Sequence, residues 1–319
     1  MPNLMPLVGD DFVFGYYEET AKGSDPGTPA GIVLPVTSYG LVGDQNWHSS
    51  NALGQKRRGV GGRMKVQASF DMEVRLITIG YILQQFFGEP TTTGAGPYVH
   101  TFIARGTMPD GFQMEAGARN ATTPYYLRHK GLTADTLKMT VTDEGLAVCT
   151  VGVTGMAEYE GDTALDATLT EVSEDDVSLT ATTIEEGGAT AANIISVEFT
   201  LSNFATAGYR IGNGVNAKYV SMKQPAATGT LIADLKDLTL FEKAVNRTES
   251  IIDFTLTDGT NTLQCVFPEI DYMRKGIPIT SPDEVQVSLP WEAFIDDGAD
   301  ETVAKFILTN TQASYANAA

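Results

Sequence analysis

The sequence predicts a mainly β protein built as two tandem β-sandwich or barrel units, each flanked by one short α-helix. Three observations carry this. Apolar and polar residues alternate in many short runs, the period of a half-buried strand. Helical spacing appears in only two short stretches. The order strand, short helix, hairpin occurs twice, over Arg63–Glu115 and again over Ala227–Phe267. The chain has 319 residues, 42% hydrophobic and 19% charged, enough apolar side chain for real cores. It exceeds the common domain size of roughly 100–200 residues, so two domains are expected. We place them at residues 1–162, an N-terminal arm and first β unit, and 163–319, a second β unit.

Met1 to Ala30, with SDPGTP at Ser24–Pro29, reads as an extended arm. Gly31–Thr37 reads as a strand, with Pro35 favouring an edge or an end. Tyr39 to Gly62 reads as one long polar connection ending QKRRGVGG. Connections of that length are usually functional or disordered. Gln55, Lys56, Arg57 and Arg58 are the densest basic spot in an acidic chain, and we expect them to make contacts between subunits or rings.

From Arg63 the period is two, with Val66, Ala68, Phe70, Met72 and Val74 on one face. Leu76, Ile79, Leu83 and Phe86 then fall at helical steps, and Gly88 and Pro90 stop the helix. Tyr98–Ala104 and Phe112–Glu115 read as a hairpin around Pro109-Asp110-Gly111. Leu137, Met139 and Val141 pair across Asp143-Glu144-Gly145 with Ala147, Cys149, Val151 and Val153. Glu158 to Asp176 is acidic and weakly patterned, and the domain boundary is set near Gly161-Asp162.

The second half has a clear strand at Ile195, Val197, Phe199 and Leu201, a turn at Asn213-Gly214 and a strand from Thr228 to Ala233. Asp237 is placed to cap a helix with Leu238, Phe241 and Val245 on its buried face. Ile252, Phe254 and Leu256 turn at Asp258-Gly259, residues that tolerate positive φ, and return as Leu263, Cys265 and Phe267. Val285–Trp291 and Phe306–Leu308 are the last strands.

The formal net charge is −19. Stable nucleic-acid binding is driven by cations meeting phosphates, so this balance argues against it. Cys149 and Cys265 read as buried free thiols, which suits a reducing cytoplasm. No secretory signal and no run of the ~18 apolar residues a membrane span needs is present. His48, His100 and His129 lack metal-ligand spacing, and neither a GxSxG elbow nor a Walker loop occurs. Asp296, Asp297, Asp300 and Glu301 read as a solvated turn. No enzyme and no cofactor is expected.

Six stretches together resemble the tail tube proteins of long-tailed, siphovirus-like bacteriophages. They are GTLIADLKDLTLFEKAV, the hairpin SIIDFTLTDGTNTLQCVFPEIDY, VQVSLPWEAF and, upstream, the strand and helix from Lys65 to Gly88, HTFIARGTMPDGFQMEAG and TADTLKMTVTDEGLAVCTVGVTG. The resemblance covers most of Gly54–Asn310. It implies a structural virion protein whose rings stack into the hollow tail tube, through which viral DNA passes during ejection. It implies self-association, contacts with other tail proteins such as tape measure and terminator, assembly in the host bacterial cytoplasm and no membrane partner. Six tube-type units form a ring in that family, so a chain with two units implies homotrimeric rings of pseudo-six-fold symmetry; the alternative is a homohexamer. An acidic lumen would let DNA slide. A β-sandwich carbohydrate-binding or adhesive module is the competing reading, and a β-sandwich enzyme a third.

Overall fold

The computed structural model describes residues 7–49, 58–104, 108–119, 124–191, 193–236, 238–277 and 285–315. In the first half the strands are β1 (Val13–Glu18), β2 (Ile32–Val33), β3 (Val36–Tyr39), β4 (Gly43–His48) and β5 (Val60–Glu73). Helix α1 (Ile79–Phe87) follows, then β6 (Thr91–Thr93), β7 (Tyr98–Ile103), β8 (Phe112–Ala118), β9 (Tyr125–Val141), β10 (Val148–Gly155) and β11 (Ala157–Gly161). The second half has β12 (Thr183–Glu186), β13 (Ala189–Thr190), β14 (Ile194–Ser202), β15 (Thr206–Gly208), β16 (Tyr219–Ser221) and β17 (Ala226–Asp234). It ends with α2 (Thr239–Asn246), β18 (Ser250–Thr257), β19 (Thr262–Tyr272), β20 (Gln286–Ala293) and β21 (Lys305–Asn310). The protein is mainly β, as its alternating runs predict.

One antiparallel sheet runs β5-β10-β9-β14-β17-β20, with β3 and β4 sharing the outer side of β5. A second layer runs β6-β7-β21-β19-β18-β12-β13, continuous with the first where Ile270–Tyr272 of β19 pairs with Trp291–Ala293 of β20. Their apolar faces meet. Phe199 of β14 lies 5.7 Å from Phe254 of β18, 5.2 Å from Phe267 of β19 and 5.8 Å from Phe306 of β21, measured between ring centroids. Burying each such ring stabilises the fold by about 1.5–3 kcal/mol. Both sheets cross residue 162, through β9–β14 and β7–β21. The order strand, helix, hairpin recurs as β5-α1-β6-β7 and β17-α2-β18-β19.

The 17-residue β9 serves two sheets. Its second part pairs with β10 and β14, and its first part with β8 and β11, while β8 pairs with β1. Gly131 lies between the two parts at φ +63, a conformation that costs a residue with a Cβ. A Cβ there would also lie 2.7 Å from the Met156 sulfur.

Helix α1 is buried on nearly every side. Gly80 faces the Tyr315 ring, and Gln85 Nε2 donates to Tyr16 Oη at 2.9 Å. Second-half side chains hold the helix and the turn before it. Asn203 donates to Phe86 O, and Asn310 and Tyr315 donate to Leu76 O and Ile77 O. The stripe Leu76, Ile79, Leu83 and Phe86 is buried as its spacing requires, and Gly88 terminates the helix at φ +88.

Four local expectations change. The arm contains a strand, β1, whose Tyr16 and Tyr17 are buried. The long connection Tyr39–Gly62 contains the strand pair β4–β5. Tyr98–Ala104 and Phe112–Glu115 do not pair with each other, because β7 lies between β6 and β21 whereas β8 lies between β1 and β9. Finally, α2 buries Ala244 and leaves Leu238 and Val245 exposed. Its orientation follows Lys243, which turns inward to Glu186 at 2.8 Å and Ser250 Oγ at 3.0 Å. Glu186 also accepts from Ser250 at 2.7 Å and Tyr272 at 3.2 Å, tying α2 to β12, β18 and β19. Asp237 lies outside the described residues.

Candidate functional site

Strand alternation gives the long sheet two unlike faces. The inner face carries Val66, Phe70, Leu137, Val151, Val197 and Leu231, all buried. The outer face carries hydroxyls such as Ser69, Thr136, Thr150, Ser196, Thr200 and Thr228. Charges on it are sparse and partly paired. Lys138 meets Glu198 at 2.9 Å, and Thr150 Oγ1 donates to Asp71 at 2.6 Å. Away from the Arg63 and Lys65 end of β5, Lys138 on this face is paired with Glu198, so the described central strands present no array of cations to a polyanion.

The ends of this sheet differ as well. Where β10 stops opposite Val66, the β4–β5 ladder continues. The loop joining β15 to β16 packs beside it. Tyr209 Oη donates to Met64 O at 2.6 Å, and Met64 N to Val215 O at 2.9 Å. The Arg63 guanidinium lies 4.9 Å from the centroid of the Tyr209 ring, and that of Arg210 lies 4.8 Å from the centroid of Tyr219. Gln55, Lys56 and Arg57 lie outside the described residues, while Arg58 is exposed just before β5.

The chain matches the phage tail tube protein family over residues 9–293, nearly its whole length. It belongs to that family. No curated protein sequence matches it. A phage tail tube protein is a structural component of the virion tail, which self-assembles into the tube with other tail proteins.

The acidic stretch before β12 is a strap across the first half of this tail tube protein. Glu158 accepts from Gly43 N at 2.6 Å and from His129 Nε2 at 2.9 Å, while the other His129 ring nitrogen accepts from Tyr39 Oη. Burial pushes the His129 pKa down, which keeps the ring neutral in this chain of bonds. Asp166 accepts from Gly31 N at 3.1 Å and Thr168 N at 2.8 Å, and the bond from Thr168 holds its carboxyl below the usual range. Glu174 accepts from Ile77 N at 2.7 Å, Thr78 N at 3.0 Å and the Thr78 hydroxyl. These carboxylates saturate backbone donors at the start of α1 and along β2 to β4. Three of the eight carboxylates from Glu158 to Asp176 are therefore structural. Only Asp166, two residues before Thr168, carries a local sequence signal; the partners of Glu158 and Glu174 are remote in sequence.

Beneath the strap, Glu115 accepts from Arg128 Nε at 2.9 Å and Nη2 at 2.6 Å, and from Leu165 N at 3.0 Å. Glu19, almost fully buried, accepts from Gly23 N at 2.7 Å and Gly131 N at 2.8 Å. Burial pushes its carboxyl up to about 7. Both cysteines are buried free thiols, and Trp291 packs on Phe267 in the core. His100 bonds to Thr92 and to Gln312 O. Asp296 accepts from Gly298 N and Thr302 N, closing its own turn. Among the described residues no three His, Cys, Asp or Glu side chains are grouped to hold a metal ion. No helix among them is long and apolar enough to cross a membrane.

Proposed function

We propose that copies of this chain close into rings and that the rings stack into the hollow tail tube of a siphovirus-like phage, with viral DNA passing through the lumen during ejection. Tape measure and terminator proteins are its further partners, and assembly takes place in the host bacterial cytoplasm. The two halves act as tandem tube-type units, so three chains make a ring of pseudo-six-fold symmetry. The two-faced sheet carries this reading. Its apolar face is covered within the chain, its hydroxyl face is free, and its margins have unused backbone groups. Gln286–Leu289 of β20 ladders only with β17 among the described residues, and β4 only with β5. Open margins of this kind are an aggregation hazard unless another strand covers them, and ring closure covers them.

In this reading the hydroxyl face lines the lumen. DNA then slides over neutral groups with a slight excess of carboxylate, a milder lining than the −19 net charge suggests. Gln55, Lys56, Arg57 and Arg58, on the connection between β4 and β5, contribute to contacts between rings.

Averaged images of rings or mass per unit length of tubes test the stoichiometry. Three chains per ring are expected, and six would overturn the trimer. Replacing Thr200 and Ser196 by Lys should slow DNA ejection through otherwise normal tubes. Unchanged ejection would overturn the assignment of that face to the lumen.

A further inference from the structure

The two ends of the long sheet carry opposite charge. At one end, β5 from Val60 to Lys65 runs past the last β10 pair and ladders only with β4 among the described residues. Six residues at about 3.3 Å each make a projection of about 20 Å. Arg58, Arg63, Lys65, Arg210 and Lys218 are exposed on and beside it. Asp44 faces Lys65 across the ladder, and Glu158 is bonded at the base. Trp47, Val60 and Ile211 expose apolar surface among these cations. The chain has 21 Lys and Arg against 40 Asp and Glu, so five cations at one end are a strong local excess.

At the other end, the turn from β9 to β10 exposes Asp143 and Glu144 beside the exposed Leu146 and Val148. Leu179 N donates to Gly145 O at 2.9 Å and Leu146 bridges to Ser178, which brings Asp175 and Asp176 alongside. Glu73 ends β5 opposite Val148. Arg75 at this end is occupied by Glu73 at 3.1 Å and Asp176 at 2.9 Å.

We propose that these ends dock head to tail, the basic projection of one copy seating on the acidic β9–β10 turn of a second copy in the next ring. The inference rests on the tube reading and names the surfaces that stack it. Each end pairs exposed apolar side chains with an excess of one sign of charge, so association buries both apolar parts and brings opposite charges together. The contact joins two different patches. It therefore does not close on itself but repeats without limit, as a stack requires. Like ends repel, which fixes the polarity of the stack.

The test compares wild type with Arg63→Glu/Arg210→Glu and with the charge-swapped chain Arg63→Glu/Arg210→Glu/Asp143→Lys/Glu144→Lys, by sedimentation and electron microscopy at low and high salt. The expected result is a tenfold or greater rise in the concentration needed for tubes in the double variant, with rings and circular dichroism retained. Recovery should follow in the swapped chain. A double variant that stacks like wild type would overturn the proposal, as would a folded, ring-forming swapped chain that fails to recover. Unchanged stacking with lost retention on duplex DNA would overturn it in favour of a nucleic-acid contact. Wild-type chains that never form rings would overturn the tube reading, and this contact with it.

Discussion

Replacing Glu19 by glutamine should remove a large part of the protein's pH-dependent stability. The carboxylate is almost fully buried between Gly23 N and Gly131 N, with Lys22 as the neighbouring cation. Burial outweighs those favourable partners and raises its pKa from 4.5 to about 7. The folded state therefore keeps this proton where the unfolded chain has already released it. In that window the folded state binds more protons, so stability falls as pH rises and levels off above the folded value. The rise is worth about 3 kcal/mol at ~1.4 kcal/mol per pH unit. Urea unfolding at pH 5 and pH 8 measures it. Other groups, His129 and Glu174 among them, titrate in both proteins and cancel in the difference. The pH 5 to pH 8 loss should be smaller in the glutamine variant by about 2–3 kcal/mol. An equal loss in both proteins would refute the reasoning and mean that water or a local opening solvates Glu19.

Glu174→Ala should cost about 1–2 kcal/mol, the worth of a lost helix cap, read as a lower thermal midpoint and as faster amide exchange at the start of α1. Unchanged exchange at Ile77 and Thr78 would contradict that role. Gly229→Ala should disrupt pairing of β17 with both neighbours, because the new Cβ would lie 2.2 Å from Glu198 O and 2.3 Å from the Trp291 ring. A loss of more than about 2 kcal/mol is expected, and a variant as stable as wild type would count against the packing described. Lys243→Met leaves the nearly buried Glu186 carboxylate without its cation, and a loss of about 1–3 kcal/mol is expected in urea unfolding. A variant as stable as wild type would show that this ion pair does not hold α2 in place.

Features written into neighbouring residues were legible in the sequence. The β18–β19 hairpin has its register, Phe254 opposite Cys265 and Leu256 opposite Leu263, set by alternation and by a turn in which Asp258 accepts from Thr260 N and Asn261 N. Pairings between distant segments were not legible, because nothing local distinguishes β7 as the neighbour of β21 rather than of β8. The face of α2 was misread for a related reason. Its apolar residues suggest one orientation, but the bonds of Lys243 to Glu186 and Ser250 are tertiary and impose another. The candidate docking end was half visible. Arg57 and Arg58 stand out as a basic pair, but Arg63 and Arg210 are brought together only when the β15–β16 loop packs on β5.

If the long sheet lines the lumen as proposed, its width bears on how many chains would surround it. Seven strand positions lie side by side in each chain, from β3 and β4 through β5, β10, β9, β14 and β17 to β20. At about 4.8 Å between strands and a tilt of about 40°, three chains close a barrel about 40 Å across, and six chains one about 80 Å across. Side chains on opposite walls together occupy about 10 Å of that width. In the proposed tube the smaller bore would admit one duplex with a layer of water against the hydroxyl face. The larger would admit several abreast and would guide none of them. A lining of threonine and serine works only at short range, since neutral hydroxyls set up no field that could centre DNA across a wide channel. The chemistry of the face and the number of strands per chain thus favour the same ring. A tube whose mass per unit length gave six full chains per ring would require part of this sheet to leave the lumen wall.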